Sequence, residues 1–447
     1  MSSSRSPFWR TAAALSVTGL LLAGCSTDTT SSAAADSTGD QEPVEIVFES
    51  YNLNDVGTWS ETIEGLIEEF EDENPHITVV AQGIESDNTA SSVQQQILAG
   101  SAPDVAQLTF NTLEFAIDEL GAVNLTEYAG EELEEHFEGE YPYHPNARVL
   151  ADRDGQTYGM PYVFSTPVLW INETLVEGAG LDPEALDLST WDALKEAAEQ
   201  VTAHTGQPSF SSSCVISGGS WCMQSMFLSN GADVLSEDRS TIEFGSPEAA
   251  QTVEVFQDFY ESGLMPNEDT ATQYESFARG DSVAFHVNTS ALQGAFMGGA
   301  EAAGWTLNAT TLPAFGDHEV VPTNSGSALM MFSEDPAKQE AAWELIKFFT
   351  SERAYEELTT GIGYLPLRSS MAEEGGTLHE WVQENPLVEP NLQQLESMKP
   401  WKAYPGNSYQ QVDVLLATAI EEVVFQGADA ETELQEAARR SQELIAE

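Results

Sequence analysis

The sequence predicts an α/β chain folded into two lobes. Strand-like and helix-like periodicities alternate from Val44 onward, and the globular stretch from about Pro43 to Glu447 is too long for most single cores. A hydrophobic fraction of 41% is enough to fill such cores. Val44 to Glu49 alternates as a strand. Trp59, Ile63, Leu66, Ile67 and Phe70 then share one helical face until Asn74-Pro75 ends the helix, and Ile77 to Ala81 resumes strand character. A second cycle follows, with Val93, Ile97 and Leu98 on a helix face, Gly100 as a stop and Asp104 to Leu108 as a strand. This alternation implies a largely parallel sheet with helices on both faces. Asp152 to Gln156, DRDGQ, lacks the acids of a calcium loop and reads as a hairpin turn. A capped helix begins at Thr190-Trp191, and Val253, Phe256, Phe259 and Tyr260 mark a core-facing helix over Ala249 to Glu261. Helices over Ala337 to Phe349, Val412 to Phe425 and Glu431 to Ile445 complete the chain. No solenoid repeat is visible.

The N-terminus carries an address. Arg5 and Arg10 form a basic flank, Thr11 to Ala23 an apolar stretch too short to span a bilayer, and LLAGC ends at Cys25. The pattern resembles a bacterial lipoprotein signal peptide over residues 1–24, which implies that Cys25 becomes an acylated N-terminus on the outer face of the cell membrane. Ser26 to Glu42 has no aromatic or large apolar residue and reads as a disordered tether. With Cys25 lipidated, Cys214 and Cys222 remain, and an oxidising compartment favours a disulfide between them; two free buried thiols are the alternative. That bridge would staple the loop that carries Trp221.

The chain has 74 Asp plus Glu against 15 Lys plus Arg, a formal net charge of -59. Nucleic acid and anionic membrane surfaces are therefore poor partners, and the membrane is met through the lipid alone. Such an acidic coat resembles those of proteins working at high salt, where screening relieves self-repulsion. Runs such as Glu131 to Glu135 read as solvated faces.

Catalytic patterns are missing. HEVVP at His318 and HEWVQ at His379 lack the second histidine of a zinc helix, and there is no G-x-S-x-G elbow, Walker loop or dinucleotide glycine pattern. A pair of glycosidase carboxylates cannot be counted out among 74 acids, so a secreted lipoprotein hydrolase, or an adhesive or sensory lipoprotein, stands as the alternative to a binding protein. No cofactor or metal is expected.

Five strings in order carry a family resemblance. LAGSAPDVAQL (Leu98 to Leu108), DGQTYGMPYVFSTPVLWINETLVEGAGLDP (Asp154 to Pro183), STWDALKEAAEQVT, FARGDSVAF (Phe277 to Phe285) and EAAWELIKFFTS (Glu340 to Ser351) resemble the extracellular solute-binding proteins of bacterial ABC importers, family 1. The resemblance implies a type II periplasmic-binding-protein fold, each lobe a mostly parallel sheet flanked by helices, hinged by several crossovers. Lobe one would comprise 43–155 with 323–363 returning, and lobe two 156–322 with the helices of 364–447. It also implies a small solute in the cleft, delivery to ABC permease transmembrane subunits, a monomer, and no catalysis.

STPVLW (Ser165 to Trp170), GIGYLPL (Gly361 to Leu367) and PGN (Pro405 to Asn407) resemble the glycerol-3-phosphate and glycerophosphodiester-binding subgroup within that family. Matched by motif, Ser165, Gly326, Tyr364 and Trp221 fall where that subgroup contacts its ligand. The subgroup's phosphate-binding arginine is replaced by Tyr404, and its Glu and Tyr fall near Phe110 and Ser86. A dianion needs fixed positive charge or a helix N-terminus. Arg368, Lys399 and Lys402 are the cations near the pocket-forming segments, and the lost arginine shifts the expectation toward neutral or zwitterionic solutes, sugars among them. Trp401 and Tyr404 lie in turns, where rings can stack on sugars or choline-like cations. The candidate ligand-binding set is Ser165, Trp221, Gly326, Tyr364, Tyr404, Trp401, Arg368 and Thr289.

Overall fold

The computed structural model describes residues 42–54 and 58–446. The signal peptide, Cys25 and all of the tether but Glu42 lie outside the described residues. Residues 43–447 form one compact unit.

Its strands are β1 (Val44–Ser50), β2 (Ile77–Gly83), β3 (Val105–Thr109), β4 (Asp152–Arg153), β5 (Gln156–Thr157), β6 (Met160–Ser165), β7 (Pro167–Asn172), β8 (Phe210–Ser212), β9 (Phe285–Thr289), β10 (Leu307–Thr310) and β11 (Ser325–Met331). They build a five-stranded sheet ordered β2-β1-β3-β11-β6, a four-stranded sheet ordered β10-β7-β9-β8, and the ribbon β4-β5. The ribbon is the hairpin expected of DRDGQ. Asp154 and Gly155 both take positive φ, 54° and 72°, which gives the two-residue turn the twist its strands need.

The β-α-β opening forms as periodicity predicts. Ile63, Leu66, Ile67 and Phe70 of the helix Thr58–Glu73 are buried against the first sheet, and Phe70 meets Phe348 of the helix Pro336–Phe349 at 5.5 Å between rings. Thr190 caps the helix Trp191–Thr205, and Trp191 is buried among Phe210, Phe256, Phe259 and Phe315. Leu98, expected on a core face, is instead 82% exposed at the end of the helix Thr89–Ala99.

Most strands in each sheet run the same way, with one strand reversed in each. β1 runs parallel to β2 and β3, but β11 lies antiparallel between β3 and β6. In the second sheet β8 and β9 are parallel neighbours, and β7 is the reversed strand, antiparallel to β9 and β10. Local alternation reveals units joined by crossover helices. It is blind to a strand such as β11, which returns from a distance and inserts in either direction.

The expected crossover at residue 155 also moves. β6 still belongs to the first sheet, and the chain passes to the second through Thr166 alone. Thr166 is fully buried, its N–H and hydroxyl donate to Asn391 Oδ1 at 3.1 and 2.6 Å, and its own Oγ1 accepts from Gln394 at 2.7 Å. Residues after 363 remain on the first sheet's side: Leu365 N–H donates to Phe164 O and Leu367 O accepts from His144 N–H. The C-terminal helices Tyr409–Gln426 and Ala430–Ile445 then pack on the helix Pro247–Glu261, with Tyr260 and Phe425 rings 5.1 Å apart.

Candidate functional site

A cavity of about 640 Å³ opens beyond the C-terminal ends of β1, β2 and β3, where Tyr51, Glu85 with Ser86, and Asn111 line it. The opposite wall is Ser217 to Trp221 and the first turns of the helix Tyr409–Gln426. Loops at strand C-termini are where open α/β sheets place ligands.

The floor is a buried polar network. Gln107, in the middle of β3, donates through Nε2 to Asn52 Oδ1 at 2.6 Å and Ser327 Oγ at 2.9 Å, and accepts from the Ser50 hydroxyl. Ser50, Asn52, Gln107 and Ser327 are all fully buried. Asn52 Nδ2 in turn donates to the Tyr364 hydroxyl at 3.3 Å, and the Tyr51 hydroxyl donates to Ser327 Oγ at 3.1 Å. Each member holds the next in one orientation, so two phenols at the cavity are fixed by strand residues. Burial pushes both phenols above the ordinary tyrosine range. The Tyr364 ring lies 5.6 Å from that of Trp59, which is half-buried at the cavity rather than sunk in the helix's core face.

Of the nominated residues, Ser165, Trp221, Gly326, Tyr364, Trp401 and Thr289 line this cavity. Ser165 ends β6 and Thr289 ends β9, and the Thr289 hydroxyl donates to Ser165 Oγ at 2.7 Å, joining the two sheets beside the Thr166 crossover. Trp401 is set by its N–H, which donates to Asn324 Oδ1 at 2.8 Å. Trp221 lies in the first turn of the helix Ser220–Ser229, and its carbonyl accepts from the Thr323 hydroxyl at 2.7 Å. Cys214 and Cys222 form a disulfide that brackets Ser217, Gly218, Ser220 and Trp221, so the bridge holds one cavity wall. Trp221→Ala is expected to weaken solute binding by about 1 kcal/mol, roughly fivefold, with the melting temperature little changed. Calorimetric titration checks this, and unchanged affinity would remove Trp221 from the site.

Arg368 and Tyr404 do not reach the cavity. Arg368 is 2% exposed and its guanidinium donates to His136 O at 2.7 Å, Tyr141 O at 2.6 Å and Thr350 O at 3.3 Å, while it covers the Tyr143 ring at 4.6 Å. His136 sits in the last turn of one helix and Thr350 is the C-cap of another, so the cation satisfies the carbonyl ends of both. Tyr404 is buried behind the cavity wall with its ring 6.3 Å from Phe244 and its hydroxyl without a partner. Lys402 is engaged by Asp233 at 2.6 Å and Leu235 O at 2.7 Å, and the Lys399 side chain is exposed outside the cavity.

No Arg or Lys stands among the described lining residues, whereas two carboxylates, Glu85 and Asp413, do. Asn54 Nδ2 donates to Glu85 Oε1 at 2.8 Å. Asp413 has its Oδ1 sealed from solvent without a hydrogen-bond partner, and burial pushes its carboxyl up to about 7 although Ser220 opposes the shift. An acid raised from 3.8 to about 7 on folding destabilises the fold above pH 7, progressively less between pH 7 and 4, and not at all below. Asp413→Asn is therefore expected to stabilise the unliganded protein at pH 8 by on the order of 1–3 kcal/mol, with the gain fading toward pH 4. Paired thermal melts of wild type and variant across that range check the sign.

Sequence reasoning missed Tyr51, Trp59, Glu85, Asn111 and Asp413. The first residues beyond each parallel strand could have been flagged by the strand-end rule. Asp413 carries no such signal, being one polar position within an apolar helix. Among the described residues no cluster could hold a metal ion, and no helix is long and apolar enough to cross a membrane.

Residues 65–390 match the bacterial extracellular solute-binding protein family. The chain is 23% identical over 338 residues to an arabinooligosaccharide-binding protein of Halalkalibacterium halodurans, covering 72% of this chain and 71% of the relative. In structure it is similar to the cyclic alpha-maltosyl-1,6-maltose binding protein from Arthrobacter globiformis, with a TM-score of 0.76 at 21% identity, covering 90% of this chain and 99% of that one. It is equally similar to UgpB from Mycobacterium tuberculosis, solved in complex with glycerophosphocholine, with a TM-score of 0.76 at 18% identity, covering 91% and 98%. The fold is the two-lobed type II periplasmic-binding-protein fold, and the protein binds rather than catalyses. The chain belongs to the bacterial extracellular solute-binding proteins, the ABC-importer family its motifs resemble.

Proposed function

We propose that the protein captures an oligosaccharide in this cavity and delivers it to an ABC permease, as a monomer tethered to the outer face of the membrane through Cys25. The observation that carries the reading is the lining: Trp59, Trp221, Tyr364 and Trp401 offer ring faces, Ser165, Thr289 and Asn111 offer neutral hydrogen-bonding groups, and two carboxylates replace any cation. Apolar sugar faces stack on such rings while their hydroxyls pair with short polar side chains. Glycerol phosphate, a dianion, would face Glu85 and Asp413 without a counter-charge. The volume of about 640 Å³ lies inside the usual range for small-molecule sites and leaves room for more than one sugar ring. The hydroxyl-bearing Ser165 and Thr289, each ending a strand of a different sheet, both line the cavity, which supports closure of both lobes around the solute.

A thermal-shift screen in high salt tests this, since a ligand specific to the folded state raises the melting temperature by mass action. Arabinotriose or maltotriose is expected to raise it and glycerol phosphate to leave it unchanged. A shift with glycerol phosphate and with no saccharide would overturn the reading.

A further inference from the structure

Beside the cavity the two lobes meet through charged residues that do not line it. The helix Leu113–Asp118 follows β3 of the first sheet, and its Glu114 is 4% exposed. Two arginines face that carboxylate. Arg153, on the β4-β5 ribbon, stands 3.5 Å from Oε2 and is shared with Asp118 of Glu114's own helix. Arg239 stands 3.1 Å from Oε1, which accepts no aligned hydrogen bond, so this guanidinium is the counter-charge of a sealed oxygen.

Arg239 belongs to the other lobe. It sits at the tip of the hairpin in which Leu235 bridges Ile242, and the Ile242 N–H donates to Gln442 Oε1 of the helix Ala430–Ile445 at 2.8 Å. Its φ of 60° is left-handed, unusual for so bulky a residue, and its N–H donates to Ser236 O at 2.9 Å to close the turn. Backbone strain of this kind persists where the surrounding structure over-determines it. The guanidinium also donates to the Ala403 carbonyl, which fixes its direction. A second contact crosses next to the ion pair: the Phe115 ring lies 5.4 Å from that of Tyr409, the first residue of the helix Tyr409–Gln426.

We propose that the Glu114–Arg239 pair, with Phe115 against Tyr409, is a clasp between the lobes that holds the unliganded protein toward its closed form and so raises its affinity for solute. Neither charged residue lines the cavity, so both act through the equilibrium between open and closed lobes. A solute that needs both lobes binds more weakly in proportion to the fraction of protein that has opened. Parting the lobes leaves Glu114 with Arg153 as its one counter-charge and returns Arg239 to solvent. The inference rests on the two-lobed fold and not on the identity of the solute.

Small-angle X-ray scattering of the unliganded protein tests the clasp without a ligand. Arg239→Gln and Glu114→Gln are each expected to raise the radius of gyration, although they change the net charge in opposite directions, while the far-ultraviolet circular dichroism stays that of the wild type. The double variant should raise it no further than either, because one contact can be broken only once. Arg279→Gln removes the same charge from an arginine paired with Glu275 and Asp281 of its own lobe, and should leave the radius unchanged. Calorimetric titration with maltotriose should show affinity falling about fivefold in Arg239→Gln, the low end of a coupling between sites. A wild-type radius of gyration in both single variants overturns the inference, as does an equal rise in Arg279→Gln. Single effects that add in the double variant show that the two residues act apart, and overturn the pair. Wild-type protein that binds no saccharide counts against the carbohydrate reading, while the scattering still decides the clasp.

Discussion

Gly326→Ala is expected to destabilise the protein by on the order of 3 kcal/mol. Gly326 takes φ 114°, a conformation that L side chains rarely adopt, in the strand that joins β3 to β6. A Cβ there would sit 2.0 Å from Val163 O and 2.8 Å from Val163 C, against backbone that cannot rotate away. The pairing of β11 with β6 already shifts register between Ser327 and Ala328, so neither strand has an easy alternative. The displacement would propagate to Ser165 and the Thr166 crossover, and solute affinity should fall with stability. Denaturant unfolding measures the loss. A change below about 1 kcal/mol would mean that the strand pair yields more easily than this geometry allows.

Arg368→Met should cost a similar amount, about 3–5 kcal/mol, for the opposite reason. It removes a donor instead of adding an atom. The carbonyls of His136, Tyr141 and Thr350 would be left in a buried space with no proton to accept, and two helix C-termini would lose the charge that faces them. Arg368→Lys keeps the charge but not the planar fork, so it should recover only part of the loss. Because the guanidinium lies outside the cavity, the folded fraction of either variant should bind solute as the wild type does. Weakened binding with unchanged unfolding would return Arg368 to the ligand's surroundings.

These two positions show what the sequence made legible. Gly326 was named from a family motif as a place where backbone approaches the ligand; it lines the cavity, and the close approach it makes is to the backbone of Val163. Arg368 was named for its charge and its closeness in sequence to Tyr364. Its partners His136, Tyr141 and Thr350 come from distant segments, and no local pattern announces that three carbonyls will converge on one cation. The helix capped by Thr190 and the buried stripe of Ile63, Leu66, Ile67 and Phe70 were legible because caps and 3.6-residue periodicity are local. The antiparallel insertion of β11 and the passage through Thr166 were not, since strand direction within a sheet depends on where a returning segment lands. Trp59 shares the helical stripe with core residues yet stands at its cavity end, a distinction that periodicity alone cannot draw. Asp413 was invisible for a related reason: it is one of several polar positions on the helix Tyr409–Gln426, and only the assembled fold puts it on the cavity wall.

A cavity lined by aromatic rings, with no Arg or Lys among its described lining residues, should hold a saccharide. Trp59, Trp221 and Trp401 line it, so a bound ring should perturb their emission directly. Titration of the protein's tryptophan fluorescence with arabinotriose and maltotriose should give a saturable change with at least one of them, reduced in amplitude and affinity by Trp221→Ala, and none with glycerol phosphate. A saturable change with glycerol phosphate and none with any saccharide would contradict the account.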